Sequence, residues 1–139
     1  MRVMVIVPAS KESEAGVLPD TKILTEMGTF NEELVKAGVL LAAEGLHASS
    51  KGVRVRFGGG HSTVIDGPFA ETKELIAGFW LWQVKSIDEA VEWIRRSPFR
   101  KSSEEIEIRR VFDAEDFGPA LTPELRAQQQ NRAERISRN

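Results

Sequence analysis

The chain has no cysteine and no tyrosine, and only two histidines, His47 and His61. The missing cysteine excludes disulfides, thiolate metal sites and a cysteine nucleophile. Together these gaps leave a short catalytic inventory, built mainly on carboxylates, lysines and the two imidazoles. An excess of one charge is also missing: 19 basic against 21 acidic residues leave a formal −2. No general basic field is therefore available to attract duplex nucleic acid or an anionic membrane, and nucleic acid is disfavoured as a partner. Long apolar runs are absent too. The opening stretch from Arg2 to Pro8 is one strand in length and leads into charged residues, which fits neither a signal peptide nor a membrane span. A cytoplasmic protein with no membrane partner is the expectation.

What is present suffices for one core. With 139 residues, 41% of them hydrophobic and 29% charged, the chain is long enough for a single globular domain and short for two. Val3 to Val7 is an unbroken β-branched run, expected as a strand buried on both faces. Ile23, Leu24, Met27, Phe30, Leu34 and Val35 recur at helical spacing, with Asp20 as N-cap and Gly38 as the stop. Val39 to Ala42 is a short apolar segment. Val53, Val55 and Phe57 then alternate with Arg54 and Arg56 before Gly58-Gly59-Gly60 and Thr63 to Ile65, which reads as strands joined by a glycine turn.

The second half repeats the opening order. Ile76 to Val84 is a strand with Phe79 and Leu81 on one face and Trp80, Trp82 and Val84 on the other. Ser86 and Glu89 make a capping-box signature, and the helix they start ends at Ser97-Pro98. Glu105 to Val111 reads as the closing strand. Strand, helix, strands, then strand, helix, strand is the split βαβ order of an α+β, ferredoxin-like fold with an antiparallel sheet. Two helices cover one face of such a sheet, so the other face calls for a partner, most simply a second copy around a shared cavity. The domain is expected over residues 1–118. Residues 119–139 are expected as a polar C-terminal helical extension starting at Thr122-Pro123, which frays or lies across the partner subunit.

The candidate seat of chemistry is Asp66-Gly67-Pro68-Phe69-Ala70-Glu71-Thr72-Lys73-Glu74, four ionisable side chains around a Gly-Pro turn between two strand-like runs. A carboxylate at a strand exit, followed by residues that fix backbone direction, can be held pointing into a cavity. Asp66 then reads either as a general acid or base or as an Asx-turn acceptor. Lys73 reads as a cation for a carboxylate-bearing ligand or as half of a surface ion pair. Glu44 faces a cavity or pairs with an arginine across the sheet. Trp80 and Trp82 are expected at the dimer cavity or interface, where aromatic walls supply area for a flat small molecule. His47, His61, Glu44 and Asp66 are ligand types that suit a metal, but their spacing enforces no coordination geometry, so no metal site is assigned and the cofactor stays unknown. Gly58 to Gly60 lacks the Gly-Lys-Ser/Thr of a phosphate loop.

The run from Asp66 to Glu74, followed by Ile76-Ala77-Gly78-Phe79-Trp80, resembles the YCII-related proteins, in particular their Asp-Gly-Pro-Phe subgroup. Glu44-Gly45-Leu46-His47 and Glu105-Ile106-Glu107-Ile108-Arg109 resemble it as well. The resemblance implies a dimeric α+β barrel, a ferredoxin-like subunit that pairs its sheet with that of a second copy. It also implies a histidine and aspartate pair, which carries over to His47 and Asp66. On these grounds the chain is expected to be a small enzyme doing acid/base chemistry on a small molecule in a dimer cavity. The alternative is a binding or regulatory accessory module without turnover.

Overall fold

The computed structural model describes residues 1–139, with the side chain of Lys73 the one exception. Four strands form the main sheet: β1 (Arg2–Pro8), β2 (Leu40–Gly45), β5 (Ile76–Gln83) and β6 (Glu107–Arg110). They lie in the order β2-β5-β1-β6, and each neighbouring pair is antiparallel. Helix α2 (Thr21–Lys36) connects β1 to β2, and α3 (Ile87–Arg95) connects β5 to β6. This is the ferredoxin-like topology expected from the element order. Between β2 and β5 the chain inserts a two-stranded hairpin, β3 (Val53–Gly58) and β4 (His61–Asp66). A short helix α1 (Lys11–Glu14) precedes α2, and α4 (Pro123–Ser137) follows the last strand.

Local chemistry explains the boundaries. Asp20 caps α2 by accepting the Ile23 amide at 2.8 Å. The helix stops where Gly38 takes φ +73° while Val39 N donates to Leu34 O and Gly38 N to Val35 O, the paired bonds of a Schellman end. Ser86 caps α3 through the Glu89 amide. The return bond differs from the expected box: Glu89 accepts from the amide of Lys85 rather than from that of Ser86. The hairpin turns at Gly59 and Gly60, both at positive φ, between the paired Gly58 and His61, as a two-residue turn requires. Thr122 caps α4 with Pro123 at its first turn, but the helix has no buried residue and offers little for packing to hold.

The core lies between helices α2 and α3 and one face of the sheet. Val3, Val5, Trp80, Trp82 and Val84 from the strands meet Phe30 and Leu34 of α2 and Ala90 of α3. Phe30 packs edge-on to Trp80, Trp82 and Trp93. Burying aliphatic side chains such as Val3, Val5 and Leu34 contributes about 1.5–3 kcal/mol each. Strand β1 departs from the expected burial on both faces: Val3 and Val5 are fully buried, but Met4 and Ile6 are only partly so. The cause is the layer count, because Met4 and Ile6 project from the face opposite the helices, away from the core cluster.

Candidate functional site

Strand pairing defines what that open face carries. Glu44, Phe79, Ile6 and Glu107 form one row across all four strands, and Ala42, Leu81, Met4 and Arg109 the next. Its centre is apolar and its edges are charged. Glu44 is exposed at one edge, with no arginine in ion-pair range among the described residues. Arg109 and Glu107 face each other at the other edge, 3.8 Å apart.

This arrangement corrects the expectation for the tryptophans. Trp80 and Trp82, 4% and 0% exposed, point to the helix side and form the core of a single chain rather than a dimer cavity or interface. Alternation along β5 set the two faces, and α2 rather than a second copy covers the tryptophan face. The Trp80 indole donates to Asn31 Oδ1 at 2.8 Å, whereas Trp82 Nε1 is buried without a partner.

The Asp-Gly-Pro-Phe turn is held by backbone docking at the end of β4. Asp66 is paired in register with Val53. Next to it, Gly67 N donates to Gly52 O at 2.9 Å. Gly67 lies so close to the 49–52 turn that a Cβ there would fall 1.7 Å from Ser49 O, which explains why the motif needs glycine at this position. Two residues on, Phe69 N donates to Ser49 Oγ at 3.0 Å, and the Arg54 guanidinium sits 3.9 Å over the Phe69 ring.

Ser49 is itself clamped. Its hydroxyl donates to Glu14 Oε2 at 2.5 Å and its amide to Glu14 Oε1 at 2.9 Å. Both bonds stabilise the carboxylate, so Glu14 titrates below its ordinary value, the hydroxyl contributing most, the amide next, with burial opposing. Helix α1, the 49–52 turn and the motif thus form one linked unit. Nothing in the sequence pattern marks Glu14, Ser49 or Asn31. Glu14 and Ser49 sit in polar stretches without periodicity and meet across 35 positions, and the only local signal is the cap of α1 at Ser10.

The structure places the expected residues unevenly about this unit. Asp66 is exposed, and its carboxylate accepts no hydrogen bond among the described residues, which removes the Asx-turn reading. His47 is exposed and two residues before Ser49, on the segment that receives the motif. His61 opens the six-residue strand that Asp66 closes, so the two lie about 16 Å apart along an extended chain, and the hairpin keeps them apart. The Lys73 side chain lies outside the described residues. Among the described residues no group of three or more acidic or histidine side chains is placed to hold a metal ion. Among the described residues no helix is long and apolar enough to cross a membrane.

The element order and the antiparallel β2-β5-β1-β6 sheet define a ferredoxin-like α+β subunit. The chain belongs to the YCII-related family, whose domain model matches residues 1–115. A curated relative, an uncharacterised protein of Rhizobium meliloti (strain 1021), is 34% identical over 76 residues, which span 55% of this chain and 61% of the relative. The match thus leaves more than a third of that relative's length uncovered. Among solved structures, the chain is similar to a 5-chloro-2-hydroxyhydroquinone dehydrochlorinase from Burkholderia phenoliruptrix AC1100, in complex with 2,5-dihydroxybenzoquinone. There the identity is 14%, the TM-score 0.48, and the coverage 84% of this chain and 98% of that one.

Proposed function

We propose that the chain is a small enzyme that works as a homodimer, its open sheet face forming one wall of a small-molecule cavity and Asp66 with His47 supplying acid/base chemistry. The observation that carries this reading is the docking of the motif. A carboxylate that accepts no hydrogen bond among the described residues sits beside Gly67, whose amide and close approach to Ser49 fix the backbone that bears it. Preorganisation of this kind is what a proton-transferring group needs. His47, on the receiving segment, is the partner, since His61 is held at the far end of β4. Glu44, on the open face, or Lys73 of the motif would set the charge of the cavity.

The open face supports the dimer. Met4, Ile6, Phe79 and Leu81 make an apolar centre that an isolated chain leaves in contact with water, and a second copy would cover it. The test uses the purified protein and its Asp66→Asn variant in a mixture of cellular metabolites, followed by mass spectrometry. Consumption of a metabolite by the wild type and not by the variant is expected. Equal profiles from both proteins would contradict the acid/base role, and retention of a metabolite without conversion by both would instead support a binding module.

A further inference from the structure

The helix-covered side of the sheet contains a gap that the core does not fill. Gly45, Gly78 and Val7 share one row across β2, β5 and β1, so two of its three positions have no side chain. In the next row Ala43 stands beside Trp80. Under Met27 and Asn31 of α2, this leaves a cavity of about 270 Å³, bounded further by Phe99. Phe99 meets the Trp80 ring edge-on at 6.0 Å, giving two aromatic walls at right angles. Gly78 is required by its neighbours, because a Cβ there would lie 2.8 Å from Glu44 O. Gly45 is not: a Cβ there meets nothing within 4 Å, so that glycine opens the space without any packing need for it.

Two polar residues line this gap, Asn31 and Glu44, and alternation along β2 turns the Glu44 side chain to the opposite face, which leaves Asn31 as the side chain that offers a donor. Asn31 lines it, and its Oδ1 is taken by the Trp80 indole at 2.8 Å. That bond fixes the amide, and its NH2 group has no protein acceptor among the described residues. An apolar cleft with one oriented donor is the form of a small-molecule site. The volume is just below the range of about 300–1,000 Å³ typical for drug-sized ligands, which sets the occupant at fragment size.

We infer that this cavity is a binding site, separate from Asp66 and His47, for a small aromatic molecule carrying a single hydrogen-bond acceptor such as a carbonyl. The ring lies against Trp80 and Phe99, and the acceptor takes the Asn31 NH2. The site depends neither on a second copy nor on the motif carboxylate.

The test is titration of the ¹⁵N-labelled full chain with acetophenone, and with ethylbenzene as the analogue lacking the acceptor, reading the Trp80 indole and Asn31 side-chain amide signals. Saturable shifts of both signals with acetophenone are expected, with binding about three- to tenfold tighter than ethylbenzene, as one hydrogen bond allows. Gly45→Leu, which fills open space, should abolish the shifts in a protein whose other signals are unchanged. Asn31→Asp, which keeps an acceptor for the indole and loses the donor, should weaken acetophenone more than ethylbenzene. The inference is overturned if acetophenone produces no saturable shift up to its solubility, if Gly45→Leu binds it as well as the wild type does, or if the two probes bind equally.

Discussion

Replacing Gly67 by alanine should undock the Asp-Gly-Pro-Phe turn while leaving the core folded. The added Cβ would sit 1.7 Å from Ser49 O, under half the ~3.5–4.0 Å at which non-bonded heavy atoms pack best. Both partners are backbone at that point, so no side chain can rotate out of the way. The two segments must separate by more than an ångström, which breaks the Gly67 N to Gly52 O bond of 2.9 Å and the Phe69 N to Ser49 Oγ bond of 3.0 Å. At about 0.5–1.5 kcal/mol each, the loss is about 1–3 kcal/mol. If the turn unfolds together with the domain, this lowers the melting temperature by roughly 2–12 °C at ~2–4 °C per kcal/mol. Hydrogen exchange separates a local from a global effect: the Gly67 and Phe69 amides should lose protection while those of Val5 and Trp82 keep it. Gly45→Ala, whose Cβ meets nothing within 4 Å, is the control and should exchange like the wild type. Unchanged protection at Gly67 and Phe69 in Gly67→Ala would refute the close-approach argument.

Trp82→Phe removes a buried indole N–H without a partner, so relief of that desolvation cost offsets part of the lost packing. Trp80→Phe removes a bonded one, and urea denaturation should therefore show it to be the more destabilising of the two by about 1 kcal/mol; the reverse order would contradict the assignment. The Ser49 clamp should depend on acid. The folded-state pKa of Glu14 is depressed below its ordinary 4.5, so its contribution is present above that value and is lost as pH falls through the depressed pKa. Protection of the Phe69 amide should fall with it in the wild type, whereas Glu14→Gln should show no such acid step.

Elements with a strong period or a clear cap were legible in the sequence. Asp20 and Gly38 bound α2, Ser86 starts α3, and the alternation along β5 puts Phe79 and Leu81 opposite Trp80 and Trp82. The side of the sheet facing the helices was not legible, because alternation separates two faces without saying which one α2 will cover. That is why Trp80 and Trp82 were expected at an interface and lie in the core. The motif stood out by its composition, but the Glu14, Ser49 and Phe69 clamp did not. Its members are separated by 35 and 20 positions, and no local pattern encodes contacts at that range. The separation of His61 from Asp66 likewise needed the pairing of Gly58 with His61 and of Val53 with Asp66, which places the two at opposite ends of one strand.

The proposed site rests on the open sheet face, and native mass spectrometry of the wild type beside a Leu81→Glu variant tests that face most directly. Leu81 lies in its apolar centre, next to Met4 and Ala42, and away from the helix-covered core. The wild type should appear at twice the 15.5 kDa of the chain, and the variant, with a charge in the centre of the interface, at the single-chain mass with its fold intact. A wild type that is monomeric at micromolar concentration, or a variant that remains fully dimeric, would contradict the shared cavity.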